Sequence, residues 1–204
     1  MAQRTTGWRR AFSLPTVYRF AQRAIGSPEV REAFVREQLR PAPGDRILDI
    51  GCGTGDIVAL LDGVDYVGYD PSPEYIESAR ERFGDRGSFS VGSVGSVDLP
   101  EESFDICVAK GVLHHLDDDA AVALFREAAR VLRPGGRLVT MDPVFTTDQH
   151  RVARFLAERD RGENVRRLDE YEALAHTAFE QVSGRVRHDL LRVPYSHAQL
   201  TCTR

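Results

Sequence analysis

The sequence predicts an α/β fold: a doubly wound, mostly parallel sheet with a terminal antiparallel hairpin and a helical N-terminal segment. Three observations predict it. Between Arg46 and Met141, short apolar strands alternate with helical stretches. The first strand runs straight into Gly51-Cys52-Gly53-Thr54-Gly55, at the sheet edge where open α/β folds bind ligands. After Asp142 the alternation breaks, and two extended segments end the chain.

The elements follow in order. Residues 8–25 mix aromatics with arginines and suit one or two short helices. Ser27 and Pro28 have the character of an N-cap and a first helical position. Val30, Phe34, Val35 and Leu39 follow at helical spacing, and Pro41 and Pro43 stop that helix before a Gly44-Asp45 turn. Arg46–Ile50 is the first strand, residues 56–61 a helix, and residues 66–69 a second strand ending at Asp70. Pro73 opens a helix with Tyr75, Ile76, Ala79 and Phe83 on one face. Residues 88–94 and 104–109 are the third and fourth strands. Acids at 117–119 start a helix with an inner stripe of Ala121, Phe125, Ala128 and Leu132. Arg133-Pro134-Gly135-Gly136 makes a sharp turn before a fifth strand at 137–141. Right-handed crossovers then put helices on both faces of the sheet. Residues 148–160 and 169–179 read as two helices. Residues 182–191 and His197–Thr203 close the chain as a hairpin around Pro194-Tyr195.

The 204 residues suit one domain, and 42% hydrophobic with 28% charged residues allows a sizeable core and argues against disorder. A net charge of −4 argues against a broadly basic nucleic-acid binder. The charge is uneven: residues 1–28 hold five arginines and no acid, and Lys110 is the sole lysine. Cys52, Cys107 and Cys202 are far apart with no CxxC pair, so neither a zinc site nor a disulfide framework is expected. No apolar run approaches the roughly 20 residues of a membrane span. Pro15 and Arg19 interrupt any signal-peptide core, so the expected location is cytoplasmic.

The glycine loop carries the strongest chemical signal. Asp70 lies nineteen residues after Gly51, at the end of the second strand, where a carboxylate can accept from both hydroxyls of an adenosine ribose. The spacing is GxGxG, not the GxGxxG of dinucleotide binders. Asp56, at the following helix start, would repel a pyrophosphate, whereas Asp49 suits a cationic amine. These details favour S-adenosylmethionine over NAD. The bland alternative is a glycine turn with a solvated acid after the second strand.

ILDIGCGTG (47–55), VGYDPSPEYI (67–76), FDICVAKGVLHHL (104–116) and VLRPGGRLV (131–139) resemble the class I S-adenosylmethionine-dependent methyltransferases of small-molecule type. The likeness is close over about residues 43–142, and residues 180–204 are similar to the family's closing hairpin. It implies a Rossmann-like seven-stranded sheet in a single domain. Residues 1–40 would be a helical lid, 41–142 the cofactor-binding core, 143–179 a helical cap and 180–204 the hairpin. It also implies roles. Gly51, Cys52, Gly53 and Gly55 would lie under the methionine and ribose, Asp49 would orient the amine, and Asp70 would hold the ribose hydroxyls. Pro71 would cover one face of the adenine, Ser93 and Val94 would flank it, and backbone atoms of Lys110 and Gly111 would face the cofactor. Family members often carry Asp where this chain has Ser93.

For the chemistry, methyl transfer to a hydroxyl invites a general base near its operating pH, and histidine meets that demand. His114 is the first choice, on the family's pattern. His115 is the second, expected to turn toward the next helix or to cap it; the alternative is that both fill a loop and a helix start. Asp142 and Tyr18 are candidate acceptor contacts, against readings as a turn acid and a packing tyrosine. His188 is expected on the core side of its strand, and Tyr195 and His197 far from the ligand edge. His150 and His176 read as solvated helix residues. The arginine-rich stretch 151–167 is either an anionic-substrate contact or a solvated face with pairs such as Arg154–Glu158. The absence of an NPPY-type tetrapeptide after the fourth strand argues against amide methylation, and no acidic cluster suggests magnesium. The expected function is small-molecule methylation, most simply at a hydroxyl oxygen. The alternatives are RNA or protein methylation through the basic N-terminus, or a non-catalytic cofactor-binding partner subunit.

Overall fold

The computed structural model describes residues 28–149, 154, 158, 163–190 and 195–204. The expectations for residues 8–25, and for Tyr18, Ser27, His150 and Pro194, lie outside the described residues. Helix α1 (Pro28–Phe34) continues as a wider π-helical turn, Val35–Leu39, which Arg40 ends in left-handed conformation at φ 44°. Phe34, Val35 and Leu39 are buried, as their spacing predicts.

The strands are β1 (Arg46–Ile50), β2 (Asp65–Asp70), β3 (Ser88–Val91), β4 (Phe104–Lys110), β5 (Leu132–Phe145), β6 (Arg166–Arg167), β7 (Gln181–Arg187) and β8 (His197–Thr203). Helix α2 (Pro73–Phe83) begins at the Ser72 cap, α3 (Asp118–Val131) at Asp117, and α4 is Leu168–Ala175. The strand order is β3-β2-β1-β4-β5-β8-β7, with two-residue β6 added beside β5. β1 to β5 are parallel, and β8 runs antiparallel to both β5 and β7. The order reverses between β1 and β4, which opens a crevice at the carboxyl edge.

Each sheet face buries its own core. Ile47, Ile106, Val108 and Val139 pack with Phe34 of α1 and with Ile76, Ala79 and Phe83 of α2. Leu48, Cys107, Leu138 and Cys202 pack with Phe125 and Ala128 of α3 and with Tyr171 and Ala175 of α4. The three cysteines are free thiols, two of them wholly buried. Among the described residues, no helix is long and apolar enough to cross a membrane, and no cluster suits a metal ion.

Several expectations need correction. The helix at 56–61 is a short 3-10 stretch, Asp56–Leu60, squeezed between the glycine loop and the approach to β2. β3 stops at Val91 because Gly92 N–H makes the last ladder bond to Asp70 (3.1 Å) and Ser93 turns back on Ser96. Leu132 belongs to β5, not to the helix. The RPGG turn is a bulge within β5: pairing jumps from Phe104–Leu132 to Ile106–Arg137, with Gly135 at φ 80°. Of the expected cap at 143–179, residues up to Phe145 continue β5, and α4 packs on the sheet between β5 and β7 in chain order. His188 lies beyond β7, exposed, with Nδ1 2.9 Å from Ser196 Oγ. His197 is at the ligand edge, not far from it, because the antiparallel register sets it opposite Pro143.

Candidate active site

The first half of the site is built from loops at the ends of β1, β2 and β3. Gly51 has φ 73°, and a Cβ there would lie 2.7 Å from Val112 Cγ2, so only glycine fits. Gly53 has φ 55°, and a Cβ there would meet nothing within 4 Å, so the loop offers an open cradle. Asp70 ties the loop to β2: Oδ2 accepts from Gly53 N–H (3.0 Å) and Oδ1 from Ser72 N–H (2.9 Å). Burial raises the Asp70 carboxyl above its usual range, against the pull of those two N–H groups. Asp49 is buried on the same edge and accepts from Tyr66 OH at 2.6 Å. Desolvation pushes its pKa up to about 6, opposed by the Tyr66 bond and by Lys110. Burial and the carboxylates of Asp49 and Asp70 push the Cys52 thiol far up, which disfavours the nucleophilic thiolate. Asp56 is held by Arg82 at 2.6 Å.

Pro71 is exposed just after Asp70, and Ser93 is exposed in the turn after β3. Val91 was missed: it is half exposed at 50%, the one exposed large hydrophobic among the described residues, and is paired with Asp70. Glu127 was also missed. From α3 it accepts from Tyr69 OH (2.5 Å) and Gly95 N–H (2.6 Å), joining the end of β2 to the loop that carries Ser93 and Val94. An acid within the apolar stripe of α3 was its signal in the sequence. The open glycine cradle beside a buried, backbone-anchored Asp70 fits a ribose-bearing ligand, and Asp49 fits an ammonium.

The second half lies at the ends of β4 and β5. Gly111 donates its N–H to Met141 O (2.8 Å) and takes φ 71°, sending the chain into the turn Leu113–His115. That turn buries His114 against Asp142 at the end of the β5 core. His114 Nδ1 lies 2.8 Å from Asp142 Oδ1, which also accepts the His114 N–H at 3.2 Å. Asp142 Oδ2 is buried with no hydrogen-bond partner among the described residues. The His115 ring lies 4.0 Å from that of His114, and Asp117, not His115, caps α3 by accepting from Ala120 N–H (2.9 Å).

Arg166 fastens this turn from behind. Its buried guanidinium donates to Leu113 O (3.0 Å), Leu116 O (2.8 Å), Asn164 O (3.1 Å) and Asp118 Oδ1 (2.8 Å). Asn164 N–H donates to His114 O at 3.0 Å, and Tyr171 OH to Pro143 O at 3.0 Å. Arg166 is therefore internal rather than a substrate contact, while Arg154 pairs with Glu158 at 3.1 Å on the surface.

Residues 48–140 match the family model described as a methyltransferase domain. O-methyltransferase cnsE of Penicillium expansum is 39% identical over 129 residues, which are 59% of this chain and 45% of that protein. Probable tRNA methyltransferase 9B of Homo sapiens is 36% identical over 115 residues, 55% of this chain and 23% of that one. The chain thus spans less than half the length of either relative. Among solved structures, phosphoethanolamine N-methyltransferase 2 of Haemonchus contortus superposes with a TM-score of 0.76 at 17% identity, covering 96% of this chain and 58% of that chain. The glycine cradle and the acid-tipped second strand thus lie within the residues that match a methyltransferase domain, and the closing hairpin completes a fold shared with this solved methyltransferase.

Proposed function

We propose that this chain transfers a methyl group from S-adenosylmethionine to a hydroxyl oxygen of a small molecule, with His114 as general base. The observation that carries the reading is the buried 2.8 Å contact between His114 Nδ1 and Asp142 Oδ1 at the carboxyl edge of the sheet. A carboxylate on Nδ1 fixes the tautomer with its proton there, so the basic lone pair is on Nε2. Asp142, first read as an acceptor contact, is in this reading the group that orients the base. S-adenosylmethionine, when bound, supplies a methyl group already activated on a sulfonium. The residues of the chain then do three things. Gly51, Gly53, Asp49 and Asp70 seat the donor. His114 Nε2 takes the acceptor's hydroxyl proton as the oxygen–methyl bond forms and the sulfur–methyl bond breaks. The crevice at the carboxyl edge aligns the two partners, where roughly 3–3.5 Å between reacting atoms is productive.

A second reading, methylation of RNA, is favoured by the likeness to the tRNA methyltransferase and by the five arginines of residues 1–28. Methyl-labelled donor, offered with hydroxylated small molecules or with tRNA, separates the two. Label in a small molecule that His114→Ala reduces about 100- to 10,000-fold, with donor affinity unchanged, supports the first reading. Label in tRNA alone replaces it with the second.

A further inference from the structure

We infer that the Lys110 side chain binds the α-carboxylate of the donor's amino-acid end, so that Lys110 and Asp49 together read a zwitterion. This rests on the donor assignment above, in which Lys110 contributes only backbone atoms. Three observations carry it further. First, Asp49 and Lys110 stand on neighbouring parallel strands at the ligand edge. Asp49 is opposite Val108, and Lys110 is two residues on, so both belong to the same face of the sheet. Second, these opposite charges do not pair. Asp49 takes the Tyr66 hydroxyl at 2.6 Å, while the Lys110 ammonium sits 5.9 Å over the Phe34 ring and makes no ion pair among the described residues. Third, Arg31 of α1 adds a like charge that acts on Lys110 more strongly than either Asp49 or Asp56.

A withdrawn cation and a withdrawn anion held side by side without contact are each short of a counter-charge. An amino-acid head group supplies both at once, its ammonium to Asp49 and its carboxylate to Lys110. Direct pairing of the two side chains would close the site against it. Burial and Arg31 lower the Lys110 pKa, and an arriving carboxylate would offset both. The sole lysine of the chain thus has a task suited to a compact point charge.

Calorimetry on the full chain tests this with three probes: S-adenosylhomocysteine, its carboxyl methyl ester, and 5′-methylthioadenosine, which lacks the amino-acid end. Lys110→Met is expected to weaken S-adenosylhomocysteine about 30- to 100-fold, the scale of a lost charge-assisted hydrogen bond, and Lys110→Arg to restore most of it. Binding of 5′-methylthioadenosine should be the same in all three proteins. The ester should bind wild type as weakly as the acid binds Lys110→Met, an arm that needs no variant to fold. Equal binding of ester and acid by wild type overturns the inference and leaves the donor assignment standing. So does an equal loss of S-adenosylhomocysteine and 5′-methylthioadenosine in Lys110→Met. Failure of wild type to bind S-adenosylhomocysteine at all overturns both.

Discussion

The two halves of the carboxyl edge are built by different means. On the β1–β2–β3 side, main chain does most of the work: glycines with positive φ shape a cradle, and Asp70 is held by the N–H groups of Gly53 and Ser72. On the β4–β5 side, side chains from distant parts of the sequence do it. His114 meets Asp142 across 28 residues, and Arg166 reaches Leu113 O across 53. The first arrangement is mostly local, with Glu127 of α3 as its long-range brace, and in the proposed function it seats a donor that never changes. The second hangs on a few long-range contacts, so acceptor chemistry can be altered there without rebuilding the cradle. If the halves are separable in this way, damage to one should leave the other's readout intact.

The largest effect should come from Arg166. Arg166→Ala strips a charged donor from two backbone carbonyls that flank His114, and about 2–4 kcal/mol of stability should go with it. Lysine is a poor substitute, because one ammonium cannot match a fork that reaches both carbonyls and Asp118. Urea denaturation reads the loss. Donor affinity, measured where the variant is still folded, should stay within about twofold of wild type, since Arg166 bonds to the His114 turn at Leu113 O and not to the glycine cradle. A parallel collapse of donor binding would show that the halves are one unit.

The converse cut is Asp70→Ala. It removes the acceptor expected for the ribose hydroxyls and also frees Gly53 and Ser72 N–H, so donor affinity should fall about 100-fold by calorimetry. The protein should lose less stability than Arg166→Ala, because the loop faces open space at Gly53.

The same contrast explains what could be read from the sequence. Glycine spacing and an acid at a strand end are local signatures, so the cradle, Asp49 and Asp70 were legible, and strand alternation gave the sheet. The identity of His114 and Asp142 as candidates was legible too, but not their meeting, which depends on the β4–β5 register and on a 3-10 turn. Arg166 was hidden in a run of arginines that looks solvated, and nothing nearby in sequence marks it as buried. His197 was misplaced because an antiparallel strand beside β5 must begin at the ligand edge; its position opposite Pro143 follows from topology, not from residue type. The bulge in β5 was read as a sharp turn before the strand, because Pro-Gly-Gly has the same local signature in both settings.

The smallest expected effect has the opposite sign, and it sharpens what the cradle costs the fold. Asp49 is buried with a pKa raised from 3.8 to about 6. Between those values the native state holds more protons than the unfolded chain, so stability falls as pH rises through that window. Above about pH 6 the penalty is complete, on the order of 3 kcal/mol at about 1.4 kcal/mol per pH unit. Asp49→Asn removes the charge and keeps an oxygen for the Tyr66 hydroxyl. It should therefore stabilise the protein at pH 7.5 by about 2 kcal/mol in urea denaturation, allowing for the buried amide's own desolvation. The gain should shrink toward zero near pH 4, where wild-type Asp49 is protonated in the native state as well. Donor affinity should drop in the same variant, because an amide no longer offers a charge to the amine. A variant that gains stability as it loses donor would identify Asp49 as a group kept for its ligand at the fold's expense. If Asp49→Asn is instead less stable than wild type at pH 7.5, the carboxylate already has a compensating partner in the fold, and the cradle is not waiting for a cation.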